Sequence, residues 1–199
     1  MCIRDSNLGA GASITLSGAN AGLSIATSSY TLGAGASINL PNVSPTSTTA
    51  LVIGGNSYTV INTLGVAGST TAADLQGING NLAGYYALGS NVDATPTSGW
   101  NSGAGFTPLG NSGTPFTGTF DGLGHTIGSL TINLPTTTDV GLFGATASSA
   151  AIQNVGLTGG SVSGGTYTGM LVGKNQGSII NSYAAGAVSG AYGLSLIHI

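Results

Sequence analysis

The chain has 199 residues and a net charge of −3, with 4% of its residues charged and 41% apolar. Ordinary soluble domains carry about 25% charged residues, so this composition excludes a globular protein with an ordinary charged surface. The apolar content and the low net charge also argue against disorder.

Charge and hydropathy exclude two kinds of partner. The chain has two basic residues, too few for the electrostatic surface that binds nucleic acid or an anionic membrane. No apolar run approaches the ~18 residues of a membrane-spanning helix. We therefore predict no nucleic-acid partner and no membrane span.

The two ends of the chain differ from the rest. Met1–Ser6 and Leu194–Ile199 can be encoded by DNA sequences that match as reverse complements. Such paired ends resemble a transposase adapter from a sequencing library, translated by accident, so we expect neither segment to belong to the fold. The single cysteine, Cys2, lies in the first segment, and a remainder without cysteine is compatible with a secreted protein that does not rely on disulfides.

Residues 7–64 begin with a duplication. Leu8–Leu16 reads LGAGASITL and returns as LGAGASINL at Leu32–Leu40, an offset of 24 residues. A fixed offset of this size is typical of a repeat in which each unit packs on its neighbours. We therefore predict coils of a β-solenoid here, continued by Leu51–Ile53 and Tyr58–Ile61 after a glycine turn.

Periodicity lapses over residues 65–115, which we predict to be an excursion from the solenoid. Thr71–Asp74 has the form of a helix capping box, and Leu75, Ile78 and Leu82 follow on one helical face, which predicts one short helix. Trp100 and Phe106 are interpreted as anchors of a polar loop rather than as a ligand platform.

Residues 116–193 carry an apolar pattern three times. It reads Ile127-x-x-Leu130-x-Ile132, then starts again at Ile152 and, more loosely, at Ile180; GLFG at Gly141 also returns as GMLVG at Gly169. Alternating apolar residues around Leu130 indicate strands. We predict an all-β, right-handed parallel β-helix with Ile152 pointing inward and Gln153 nearer the surface. A β-sandwich remains an alternative.

A family resemblance is carried by the same residues. Gly169–Gly190 resembles the GLUG repeat, and Trp100–Gly110 and Phe116–Ile127 resemble the segment before such repeats in filamentous-haemagglutinin-like surface proteins. The resemblance covers residues 58–190. It implies a large secreted bacterial adhesin with a β-helical shaft, exported by a two-partner system through an outer-membrane transporter and located at the cell surface.

The residues offer little catalytic chemistry. Outside the ends, the charged or acid–base side chains are Asp74, Asp93, Asp121, Asp139, Lys174 and His125. Glycoside hydrolases need two nearby carboxyls and lyases need a base with cations, and no motif supplies either. We predict no catalytic, cofactor-binding or metal site and no enzyme. Asp121 and His125, four residues apart, are interpreted as a turn in which the carboxylate accepts backbone N–H bonds. Lys174 is interpreted as solvated.

The predicted function is a structural one. The chain would form a rigid stalk segment of an extracellular adhesin that presents polar loops, chiefly residues 65–115, to a host-cell or glycan surface. A β-helical protein that binds or cleaves polysaccharide is the alternative. An ice-binding face is weaker, because the outward Thr131 and Asn133 do not recur as threonine at Gly156 and Thr158.

Overall fold

The structure is a computed structural model that describes residues 2–3, 7–18, 21–27, 30–45, 47 and 50–195. Its elements are short strands joined by turns, with two 3₁₀ helices at Gln76–Gly80 and Thr95–Gly103. The strands before residue 58 are β1 (Cys2–Ile3), β2 (Asn7–Leu8), β3 (Ser13–Thr15), β4 (Leu23–Ile25), β5 (Thr31–Leu32), β6 (Ser37–Asn39), β7 (Leu51–Ile53) and β8 (Asn56–Ser57). The later strands are β9 (Thr59–Ile61), β10 (Tyr85–Leu88), β11 (Val92–Asp93), β12 (Thr119–Asp121), β13 (Thr126–Gly128), β14 (Thr131–Asn133), β15 (Phe143–Ala145), β16 (Ala151–Gln153), β17 (Gly156–Ser163), β18 (Thr166–Gly169), β19 (Val172–Lys174), β20 (Ser178–Ile180), β21 (Tyr183–Ser189) and β22 (Tyr192–Ser195).

Residues 7–53 form what we call the N-terminal stack. In it β2 pairs with β5, β3 with β6, and β4 with β7, all parallel. Leu8 lies beside Leu32 and Ile14 beside Ile38, which is the 24-residue offset of the duplication. The predicted coils are therefore confirmed.

Residues 58–190 form the main stack. One of its sheets has the strand order β20-β16-β12-β10-β9, and a second joins β11, β13, β14, β17 and β21. Every ladder between named strands of the described chain is parallel except the β7–β8 hairpin. Parallel stacking of successive coils excludes the β-sandwich, whose sheets are antiparallel. The β-solenoid is thus confirmed, whereas its right-handed winding stays a prediction.

The stacking register differs from the one read from the sequence. Ile127 pairs with Leu157, not with Ile152, which pairs instead with Phe120 and Ile179. The sequence pattern predicted the wrong stacking register for two reasons. The same pattern occurs on different sides of the coil, and either Ile179 or its neighbour Ile180 can be taken as the repeated isoleucine. The inward position of Ile152 is confirmed, and Gln153 is half-buried. The second series is correct, since Phe143 in GLFG lies beside Val172.

The polar rows follow the same corrected register. Thr131 lies beside Ser161 and Asn133 beside Ser163, rather than beside the two positions compared in the sequence. The next coil adds Ala187. The outward row is therefore mixed and does not form a regular threonine array.

Residues 65–115 leave the solenoid in two places, not in one continuous excursion. Between the two 3₁₀ helices, β10 pairs with β9 and β12, and β11 pairs with β13. The chain thus completes a coil inside the predicted excursion. In residues 65–115 the loop after the second 3₁₀ helix is anchored by Phe106, which is buried and stacks on Trp100 with ring centroids 6.3 Å apart. The interpretation of both rings as anchors is confirmed.

The short helix exists but does not start at the predicted capping box. It is a 3₁₀ helix over Gln76–Gly80 and has no side-chain capping bond at its first residue. Ala72 adopts a left-handed conformation with φ 56°, which breaks helical geometry inside the box. Asp74 instead accepts the Thr71 hydroxyl at 2.8 Å and the Gly77 N–H at 2.7 Å.

The adapter-like ends fall largely outside the described residues, which omit residues 1, 4–6 and 196–199. The described parts of these segments pair only at strand edges, β1 with β4 and β22 with β18. A backbone ladder of this kind needs no particular side chains. No helix in the described part of the chain has the length and hydrophobicity needed to cross a membrane.

Candidate functional site

Asp121 and His125, the pair noted in the sequence, flank a tight turn at the end of β12. The His125 N–H donates to the Gly122 carbonyl at 2.8 Å. Leu123 and Gly124 have φ values of 51° and 85°, which is a type I′ geometry. Gly124 is required for a second reason, because a Cβ there would collide with the carbonyl of Ala36 in the N-terminal stack. The turn therefore sits where the two stacks meet.

Asp121 is fully buried at this junction, with no exposed surface. Its Oδ1 accepts the Leu123 N–H at 3.0 Å, as predicted from the sequence, and the Asn154 amide at 3.0 Å. Its Oδ2 accepts the Tyr30 hydroxyl and the Gln153 amide, both at 2.6 Å. The carboxylate thus joins its own turn, the next coil of the main stack and the N-terminal stack.

The electrostatics of the carboxylate follow from burial and from these donors. Burial raises the pKa of Asp121, while the four hydrogen bonds act in the opposite direction. Burial and the neighbouring carboxylate raise the pKa of Tyr30 well above its usual range. Tyr30 therefore stays protonated and can donate.

The register of the main sheet explains why a carboxylate is buried on its outer face. Asp121 belongs to an outward row that runs Val60, Ala87, Asp121, Gln153 and Ile180. The N-terminal stack covers the first two, which are buried, whereas Ile180 is 50% exposed. Asp121 therefore lies at the boundary of the covered area, where the surrounding groups change from apolar to polar.

His125 closes the edge of strand β6. The N–H of Ser37 donates to the Ala12 carbonyl on the β3 side, whereas the Ile38 N–H points the other way and donates to the Leu123 carbonyl at 3.0 Å. The Ile38 carbonyl, on that second side, lies 2.9 Å from His125 Nε2. A carbonyl can only accept, so Nε2 carries the proton. The imidazole thus takes the place of a backbone N–H in the ladder.

This arrangement is suited to holding structure rather than to catalysis. No hydrogen bond joins Asp121 to His125 among the described residues, and each is engaged by other partners. A general acid or base must reach a substrate proton, and Asp121 has no exposed surface. Within the described ranges, no three His, Cys, Asp or Glu side chains come close enough to hold a metal ion.

The other charged side chains lie apart from this turn. Asp93 accepts the Thr95 hydroxyl at 2.6 Å, and Asp139 accepts the Ser112 hydroxyl. Lys174 is half-buried beside a cavity of about 70 Å³, not fully solvated as predicted.

Sequence reasoning missed the three side chains that bind Asp121. Tyr30 lies 91 residues before it, and Asn154 lies in the next coil. One signal was available, because Asn154 and Asn181 both adopt left-handed conformations, with φ of 54° and 48°, at the same turn of successive coils. An asparagine repeated at this offset is typical of a turn that needs positive φ.

Comparisons with known proteins give one relative. The chain is 40% identical over 124 residues to halomucin from Haloquadratum walsbyi (strain DSM 16790 / HBSQ001), an alignment that covers 59% of this chain. The chain spans about 1% of the length of halomucin, which is therefore a very long protein. No protein-family profile matches the chain, and no solved structure matches it.

Proposed function

We propose that this chain is a rigid β-solenoid segment of a long extracellular surface protein and that it has no enzymatic activity. A β-solenoid stacks coils without limit of length, so it suits a spacer in a very long chain. The relative, halomucin, is so long that this chain spans about 1% of its length. An extracellular structural role fits both the fold and this relative.

The observation that carries the proposal is the use made of Asp121. It is the buried carboxylate at the junction, and all four of its hydrogen-bond donors come from this chain's own turn, next coil and N-terminal stack. Buried polar networks that are fully satisfied make a structure rigid and specify one arrangement. The Asp121 carboxylate, the group best suited to acid–base catalysis, is thus fully used in hydrogen bonds that hold the two stacks together.

We extend the proposal to attachment, with the chain as an adhesin-type segment that presents polar loops. The loops around the two 3₁₀ helices are rich in Gly, Ser, Thr and Asn, and Thr95, Ser98 and Asn101 are exposed. Such a surface offers neutral hydrogen-bonding groups rather than charge. The GLUG-type resemblance of residues 169–190 stays an expectation from the sequence, since no protein-family profile matches the chain.

Force spectroscopy on the full chain tests the structural part. A rigid two-stack solenoid should lengthen in discrete steps, and Asp121→Ala should lower the force of the step that releases residues 7–53. A chain that extends smoothly at low force would contradict the proposed role.

Two further assays separate attachment from catalysis. Beads coated with the chain should be retained on cell or glycan surfaces more than beads coated with denatured chain. Incubation with pectins, glucans and chitin-like polymers should release no reducing ends or unsaturated products. Cleavage that disappears in a folded Asp121→Asn or His125→Ala variant would overturn the structural proposal in favour of a carbohydrate-active enzyme.

A further inference from the structure

A cleft lies at the junction of the two stacks, beside the Asp121 turn. Its volume is about 330 Å³, within the range of about 300–1,000 Å³ of small-molecule sites. We call it the seam cleft, and its lining residues are Leu32–Ala36, Gly124, Asn154, Val155, Asn181 and Tyr183.

One wall of the seam cleft is backbone. The turn Gly33–Ala36 is closed by the bond from the Ala36 N–H to the Gly33 carbonyl at 2.9 Å. A Cβ at Gly35 would meet no atom within 4 Å, so the chain there faces open space, whereas the Gly33 N–H and the Ala34 carbonyl are already bonded to Leu8 and Gly11. Without a side chain, the backbone at Gly35 allows a ligand to approach closely.

The opposite wall supplies an aromatic ring and amides. Tyr183 is 41% exposed, and its ring lies against Gly156, where a Cβ would collide with it. Asn181 is exposed, and its side chain makes no hydrogen bond within the described part of the chain. Asn154 is held in this wall by its bonds to Asp121 and Tyr30.

Among the described residues, the lining has no carboxylate and no ammonium or guanidinium group. A ligand that is charged would lose its hydration there without gaining a partner, which is costly. A neutral ligand with many hydroxyl groups and an apolar ring face matches a tyrosine ring, amide side chains and the open backbone at Gly35.

We propose that the seam cleft binds a neutral sugar unit of a glycan, with Tyr183 as the platform for the sugar ring and Asn181 as a hydrogen-bonding side chain. This inference rests on the proposed surface role, since it names a ligand class for attachment. Asn154 is a positioning residue, because the Asp121 network holds it in the wall.

Saturation-transfer NMR on the full chain tests the proposal with defined probes. Methyl galactoside, methyl mannoside and N-acetylglucosamine serve as neutral sugars, and sialic acid and glucuronic acid serve as acidic ones. At least one neutral sugar should bind, and neither acidic sugar should bind as well. Binding of no neutral sugar at about 10 mM, or binding of an acidic sugar equal to that of the best neutral one, would overturn the proposal.

Variants locate the site. Tyr183→Ala should weaken binding about tenfold, and Tyr183→Phe should retain most of it. Tyr85→Ala is the matched control, because Tyr85 is 40% exposed, lies outside the cleft and should not affect binding. Asn181→Gly, which removes the exposed side chain and suits the positive φ of 48° at this position, provides a second variant if Tyr183→Ala does not fold. Wild-type affinity in a folded Tyr183→Ala or Asn181→Gly variant would refute the site.

The outcome is independent of the structural role. A chain that shows stepwise unfolding under force but binds no sugar would refute the cleft proposal and leave the rigid segment intact. A chain without stepwise unfolding would contradict the proposed function whatever it binds.

Discussion

The two stacks of this molecule use the same coil but differ in how they complete a core. The main stack encloses a cluster that contains no residue of 7–53 within the described chain and includes aromatic rings in contact with one another. Phe143 lies between Phe116 and Phe120, with ring centroids 4.9 and 5.4 Å away. The N-terminal cluster is chiefly aliphatic, and four of its members belong to the other stack: Tyr58, Val60, Ala87 and Leu123.

This difference indicates that the stability of the N-terminal stack depends on the main stack, whereas the main stack does not depend on the N-terminal one. Without the outer face of the main sheet, the N-terminal cluster would lose part of its cover and Tyr30 would lose Asp121. The main stack should keep its aromatic core when the N-terminal stack is removed, because no described residue of 7–53 belongs to that core. Residues 7–53 should therefore unfold first, and any damage to the main stack should unfold both.

The strongest way to break this comparison is Ile152→Asp. The side chain is 1% exposed in the main core, so an unpaired charge there should cost several kcal/mol, against a total stability of about 5–15 kcal/mol. Hydrogen exchange should show loss of protection in both stacks. Thr158→Lys, on the exposed face of the neighbouring strand, is the control and should stay within about 0.5 kcal/mol. Retained protection at Ile38 in Ile152→Asp would contradict the one-way dependence.

Asp121→Ala tests the junction itself. Four donors would lose their acceptor inside the protein, and we expect a loss of about 3 kcal/mol or more in the free energy of unfolding. Chemical denaturation should then separate into two transitions, with residues 7–53 in the first. Asp121→Asn, which keeps the shape and part of the bonding, should cost less. Equal effects of the two variants would show that the donors do not need the carboxylate.

Tyr30→Phe sharpens the comparison by removing a bond that spans the two stacks. The ring is kept and only the hydroxyl that donates to Asp121 at 2.6 Å is lost. We expect about 1–2 kcal/mol of destabilisation, confined to the N-terminal stack. Hydrogen exchange by residue measures this, and an equal loss of protection around Phe120 would argue against a local effect.

The pH dependence of the junction comes from His125, whose pKa is lowered by burial. The unfolded chain then binds a proton more readily than the folded one, so stability should fall as the pH decreases through the ordinary histidine pKa of about 6.5. Thermal melting between about pH 8 and about pH 5, roughly 1.5 units on either side of that pKa, measures this change in stability. His125→Gln, which can still donate to Ile38, should flatten the slope.

The Asp121 carboxyl changes the pH dependence of stability in the opposite direction from His125. Burial raises its pKa, so acidification favours the folded state, in which the carboxyl binds a proton more readily. The melting series is therefore repeated in Asp121→Asn. A slope that persists unchanged in His125→Gln would assign the pH effect to another group.

The smallest expected effect is at the ends. Deleting residues 1–6 and 194–199 should change the free energy of unfolding by no more than about 0.5 kcal/mol, because the described contacts of these segments are the backbone pairings of β1 with β4 and β22 with β18. Thermal melting of the shortened chain measures this. A large loss would mean that the adapter-like segments belong to the fold.

Much of the fold was readable from local repetition. The duplicated LGAGASI segments and the strand alternation around Leu130 predict stacked coils, because equal offsets place equal side chains beside each other. The register failed where coils differ in length, since Ile127 is followed 30 residues later by its partner Leu157 but Phe120 is followed 32 residues later by Ile152. Insertions in the turns change the offset between paired residues but leave the apolar pattern of each strand the same.

The junction was readable only in part. Asp121 and Leu123 are two residues apart, so their turn follows from local chemistry. Tyr30 is separated from Asp121 by 91 residues, and no periodicity connects them. The packing of one stack on the side of another depends on tertiary contacts, which a repeat pattern does not encode.

The imidazole of His125 on Ile38 also has a consequence for neighbouring molecules. A free strand edge offers unpaired N–H and C=O groups to any other strand, and repeated coils present many similar edges at high local concentration. On the side of β6 away from β3, the Leu123 carbonyl and His125 occupy both groups of Ile38. Another strand therefore cannot pair with β6 at Ile38, and this edge is protected from aggregation there.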